Sequence, residues 1–163
     1  MPNISNSHAN QQDNALAAVK NFCSTFSRKE ALKLQHKMIR AAFAQKRKLH
    51  KKDVLDLLFL KEKLETLIEA AARLAKDKTN GQTLKKVFHK AKAVDWIAWL
   101  DELFHAAVYN DFFTNPSMNP DVYYSCRGLL KIIKKCYAIV GQDAAIDMAD
   151  REDKRQGSAT AVA

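Results

Sequence analysis

The chain has 163 residues, of which 47% are apolar, a formal net charge of +9 and an isoelectric point near 9.5. That length suits one domain with a full core. Only four glycines and three prolines occur, and with much Ala, Leu and Lys this excludes a collagenous or sheet-dominated chain and points to an all-α protein.

No apolar run approaches the roughly 20 residues that span a bilayer, so no membrane segment is expected. The polar stretch Met1 to Asn14 lacks the apolar centre of a signal peptide. The three cysteines, Cys23, Cys126 and Cys136, are odd in number and form no CxxC. This pattern predicts a reduced, cytoplasmic protein whose cysteines lie in the core.

In chain order, residues 1–12 are polar and read as a disordered tail. Residues 13–26 carry Leu16, Val19, Phe22 and Phe26, the spacing of a short amphipathic helix. Ser27 and Glu30 have the S-x-x-E form of a capping box and should start a new helix. That helix runs to about Arg47 with Leu32, Ile39, Ala42 and Phe43 on its apolar side. A basic corner, Lys48 to Lys52, leads to Asp53 as the expected cap of the next helix.

From Val54 to Lys76, Leu57, Leu60, Leu64, Leu67, Ala71 and Leu74 alternate in spacings of three and four. This is a single helical seam that must be covered by partner helices. Thr79-Asn80-Gly81 is expected to end it, with Gly81 in the left-handed conformation. A third long helix is predicted from about Leu84 to Phe112. Leu84, Val87, Phe88 and Ala91 lie on one side of it, with Trp96, Leu100, Leu103 and Ala107 nearly opposite, so it is kinked, central or used at a second interface. Its aromatics Phe88, Trp99 and Tyr109 are the candidate oligomer contacts. A turn at Asn115 to Pro120 precedes the last helix, which carries Val122, Cys126, Leu129, Ile133, Tyr137 and Val140 and stops at Gly141. Residues 143–163 read as a flexible charged tail. The expected architecture is an antiparallel up-and-down four-helix bundle over residues 27–142, with an extra short N-terminal helix.

The charge is unevenly placed. Between Arg28 and Lys52 stand ten basic residues and one acid, Glu30, so this window alone carries +10 − 1 = +9. Lys29, Lys33, Lys37, Arg40, Arg47 and Lys51 fall on one stripe of a continuous helix, opposite its apolar side, with Lys48 and Lys52 at its end. Arg127, Lys131, Lys134 and Lys135 form a second basic group, and Lys85, Lys86, Lys90 and Lys92 a third. A face selected only for solubility mixes both signs. An unbalanced stripe suits phosphate contacts, which need charge but no base-specific geometry. Few exposed aromatics are expected beside the stripe, so no single-strand stacking platform is predicted.

Catalytic patterns are thin. Glu102 and His105 make one E-x-x-H, whereas a carboxylate-bridged diiron bundle needs two and further carboxylates. No glycine-rich phosphate loop and no nucleophile elbow occur. No catalytic residue, metal site or cofactor is assigned. The competing expectation is a helical interaction or inhibitor module whose basic surface is incidental.

The stretch Ala93 to Val140, AVDWIAWLDELFHAAVYNDFFTNPSMNPDVYYSCRGLLKIIKKCYAIV, shows a helix rich in Leu and aromatics, a short polar turn, a cap at Met118-Asn119-Pro120, and a final helix carrying Leu129-Leu130 and Ile133. With the basic corner before Asp53, this resembles the four-helix-bundle family that includes the accessory variability proteins of diversity-generating retroelements and the proteins encoded in intervening sequences of 23S ribosomal RNA genes. The resemblance implies a basic homo-oligomer, a pentameric ring, that binds RNA and the retroelement's reverse transcriptase and assists cDNA synthesis without catalysing it.

Overall fold

The computed structural model describes residues 4–43, 49–76, 81–109 and 119–141, with side chains from residue 11 onward in the first helix and from residue 124 onward in the last. Those residues are all-helical, with no strand among them. The helices are α1 (Ile4–Thr25), α2 (Arg28–Phe43), α3 (Lys51–Leu74), α4 (Gln82–Phe88), α5 (Ala93–Tyr109) and α6 (Asn119–Val140).

The seam on α3 is buried along its whole length. Leu57, Leu60, Leu64, Leu67, Ala71 and Leu74 are all in the core, joined by Ile68 and Ala70. Full burial of each such Leu contributes about 1.5–3 kcal/mol relative to exposure, and the seam accordingly fixes where the other helices lie. α1 packs most extensively on α3, and α2 on α5.

α1 is longer than expected. It begins at Ile4 inside the stretch read as a disordered tail, and it is a full member of the core through Ala15, Val19, Phe22 and Cys23, with Phe26 just after it. Phe22 and Phe26 stack with ring centroids 5.3 Å apart, Phe26 reaches Phe59 of α3 at 5.5 Å, and Phe22 meets the Tyr137 ring of α6 edge-on at 6.2 Å. The Tyr137 hydroxyl donates a 2.6 Å hydrogen bond to the Phe26 carbonyl. This bond satisfies a backbone acceptor where α1 stops and α2 has yet to start.

Local signals account for three of the helix starts. At the head of α2, the Glu30 N–H donates to Ser27 Oγ at 3.2 Å, one half of the expected capping box. α3 begins earlier than its expected cap: His50 is its N-cap residue, and Asp53 sits in the first turn with its carboxylate toward the His50 N–H. α5 uses the same device, the Lys92 N–H donating to Asp95 Oδ2 at 2.8 Å. In both, the acid at the third helical position reaches back to the residue before the helix, where a negative charge also complements the helix dipole.

The long helix expected from Leu84 to Phe112 is two helices, broken at residues 89–92. Its two apolar faces belong to separate pieces. Leu84 and Val87 are buried from α4, while Trp96, Leu100, Leu103, Ala106 and Ala107 are buried from α5. Gly81 has φ −90°, a right-handed conformation, and is the N-cap residue of α4 instead of a left-handed stop for α3. Gly141, with φ 77°, is the left-handed residue, directly after α6.

Particular contacts order the helices along the core. Lys37 of α2 pairs with Asp53 at the start of α3, and Phe26, just before α2, meets Phe59 further on, so α2 and α3 run antiparallel. Lys61, next to Phe59 in α3, pairs with Asp101 and lies over Phe104 of α5. Trp96, nearer the start of α5, packs on Gly128 of α6, and Tyr137 of α6 reaches Phe26.

Candidate nucleic-acid interface

On α2 the buried row is Ala31, Gln35, Met38 and Ala42. This row is rotated from the expected one: Leu32 and Ile39 are only half-buried, and Phe43 is 40% exposed. Lys29, Lys33 and Arg40 stand exposed on the opposite face. Lys37 lies between them but is not free. Its ammonium pairs with the Asp53 carboxylate at the start of α3. That hydrogen bond, helped by the Lys37 and His50 charges and the His50 N–H and opposed by burial, holds the Asp53 carboxyl below its ordinary value. Lys51 and Lys52 are exposed in the first turn of α3. Arg47 and Lys48 lie outside the described residues, so the stripe is described from Lys29 to Arg40 and again from Lys51.

On α6, Arg127, Lys131 and Lys134 are exposed and Lys135 is half-buried, behind the buried seam of Cys126, Leu129, Ile133 and Tyr137. The Tyr137–Phe26 hydrogen bond brings the turn carrying Lys134 and Lys135 to the turn that precedes Lys29.

Two aromatic rings accompany these rows, against the expectation that few would. Phe43 is one turn beyond Arg40, and Tyr124, 65% exposed, is one turn before Arg127. The signal was readable in the spacing: Phe43 follows Arg40 by three residues and belongs to the charged face as much as to the apolar one.

The three candidate oligomer residues do not come together. Phe88 and Trp99 are half-buried against the core of their own chain, Trp99 meeting Trp96 edge-on at 5.0 Å. Tyr109 is exposed, its ring 4.5 Å from that of His105.

Glu102 and His105 are both exposed, and no group of three or more His, Cys, Asp or Glu able to hold a metal occurs among the described residues. Cys23, Cys126 and Cys136 are buried. Burial pushes the Cys126 thiol up to about 11 and Cys136 higher still, the reverse of what a nucleophilic cysteine requires.

Sequence reasoning missed two buried polar groups. Gln35 is fully buried, and neither atom of its amide has a hydrogen-bond partner among the described residues; the same holds for Trp96 Nε1. Lys61 is a third group of this kind, half-buried yet satisfied by Glu65 and Asp101, each at 2.6 Å. Burial pushes its pKa down, but the two carboxylates outweigh that and raise it. No helix among the described residues is long and apolar enough to cross a membrane. No protein-family model, curated protein or solved structure matches the chain.

Proposed function

We propose that this chain is a basic, non-catalytic nucleic-acid-binding protein of the cytoplasm, with RNA as its ligand. The observation that carries this reading is the face of α2, where Lys29, Lys33 and Arg40 are exposed together opposite the buried row. Such a row can follow a phosphate backbone at little geometric cost. Phe43 and Tyr124, exposed beside the two basic rows, favour a single strand, whose bases can stack on aromatic rings. The likeness of residues 93–140 to retroelement accessory proteins supplies the role: a subunit that holds RNA for a reverse transcriptase, assembled as a homo-oligomer.

The test is the salt dependence of binding to a single-stranded RNA. Affinity should fall linearly with salt on a log–log plot, by about 0.7–0.9 per phosphate neutralised. Replacing Lys29, Lys33 and Arg40 together by Gln should reduce the slope by roughly 2–3 and weaken all sequences alike. The control removes equal charge at Lys85, Lys86 and Lys90, exposed on and just after α4. Equal losses from both triple variants would refute the stripe as a site and leave only net charge.

A helical interaction module is the second reading. Leu55, Leu58 and Phe59, exposed on the outer face of α3, are the observation that favours it.

A further inference from the structure

α3 carries a second seam on the side away from the core. Lys52, Leu55, Phe59 and Glu62 follow one another in spacings of three, four and three, the rhythm of the inner seam on the opposite face. All four are exposed, Leu55 at 56% and Phe59 at 45%, with Leu58 beside them at 37%. This concentrates three of the seven exposed large apolar side chains among the described residues on one helix face. Isolated exposed apolar residues need no explanation, but a contiguous group marks a contact surface.

The seam is self-complementary. Lys52 lies three residues before Leu55, and Glu62 three residues after Phe59. A second α3 laid antiparallel across the midpoint of Leu55 and Phe59 sets each Leu55 against the other copy's Phe59. The same operation sets each Lys52 against the other copy's Glu62. The two-fold relation is the one a closed dimer requires, since a contact made by one copy is returned by the other. Neither Lys52 nor Glu62 is in an ion pair within the described residues of its own chain. Lys51 and Lys63 flank the seam on either side, and Lys63 stays with its own chain, its ammonium 5.4 Å from the centre of the Phe59 ring.

We propose that the outer face of α3 docks a second copy of this chain in antiparallel register, Leu55 on Phe59 and Lys52 on Glu62, forming a two-fold dimer. This interface is separate from Phe88 and Trp99, which the chain uses for its own core. It leaves the α2 row of Lys29, Lys33 and Arg40 outside the contact, so it does not depend on the nucleic-acid reading.

The test is sedimentation equilibrium of the nuclease-treated full chain over a range of micromolar concentrations. The wild type should show a concentration-dependent dimer mass. Lys52→Glu and Glu62→Lys should each weaken dimerisation by on the order of tenfold, because each replaces two exposed attractions with two repulsions. Combining the two restores opposite charges across the contact, and should restore the dimer. Leu55→Asp should give a monomer with an unchanged circular dichroism spectrum, the side chain being exposed and outside the core. Lys85→Glu, an equal charge change elsewhere, should leave the mass unchanged. A monomer at every concentration would overturn the proposal. So would an oligomer of any size indifferent to the single reversals, or a double variant no better than either single one.

Discussion

Gly128 offers the sharpest test of the packing between α5 and α6. A Cβ placed there would lie inside the Trp96 ring, against its six-membered part. Trp96 is buried and has a second edge-on neighbour in Trp99, so the ring has little room to withdraw. In an exposed helix, Gly→Ala raises stability by about 0.8–1 kcal/mol through helix propensity. Overpacking a filled site costs about 1–3 kcal/mol, and a rigid ring against helix backbone belongs at the upper end. The difference is a net loss of about 1–2 kcal/mol for Gly128→Ala, or a fall in Tm of roughly 2–8 °C for a chain of this size. Urea denaturation followed by far-UV circular dichroism measures it. The informative comparison repeats the change in a Trp96→Leu background, where the ring is gone. There the propensity gain should dominate, and Gly128→Ala should be stabilising by up to about 1 kcal/mol. If Gly128→Ala stabilises the wild type, Trp96 does not lie over this glycine and the order of contacts along α5 and α6 falls with it.

Two further outcomes follow from the core and from the start of α3. Leu64→Ala, at the middle of the buried seam, should leave a cavity and cost on the order of 2–5 kcal/mol in urea denaturation; an unchanged midpoint would show that the seam is not core. Asp53 is held below its ordinary pKa by Lys37, so its contribution is complete above the unfolded carboxyl value of about 3.9 and is lost as pH falls through the folded value. Asp53→Asn should therefore lower the urea midpoint near pH 7, and the gap between variant and wild type should close below about pH 4. A gap that persists at acid pH would assign the effect to something other than this ion pair.

What could be read from the sequence tracks how long each pattern is. The α3 seam repeats over six positions, and every one is buried. The capping pair Ser27 and Glu30 is local, and its bond forms. The failures are places where a short-range signal was outvoted by tertiary packing. The break between α4 and α5 contains no proline or glycine, so propensity gave no warning. The sign of it was the change of apolar face between Ala91 and Trp96, which one straight helix cannot bury on a single core. Gly81 was placed at the end of α3 because glycine often stops helices, yet here it precedes one. The polar stretch before residue 13 continues a helix whose later turns supply Ala15, Val19 and Phe22 to the core. Its composition is that of a tail, and its helical state follows from the anchored turns that it extends.

Charge shows the same limit in another form. The count of cations in the α2 window is a property of the sequence, but their availability is not. Lys37 has the spacing of a stripe member and is spent on Asp53, sixteen residues away in the chain. Lys61 has the composition of a solvated helix face and is half-buried between two carboxylates. Conversely, Lys52 and Glu62 stand on a mixed-sign face of the kind that ordinarily signals solvation only, while Leu55 and about half of Phe59 between them stay open to solvent. Ion-pair partners set the cations available to a polyanion. Among the described residues of the stripe these are Lys29, Lys33, Arg40 and Lys51. At about 0.7–0.9 per phosphate, four such contacts give a slope of about 2.8–3.6 from this row. A steeper dependence in the wild type would mean that the α6 row, or cations outside the described residues, also meets the nucleic acid. Removing Arg127, Lys131 and Lys134 would separate those two sources.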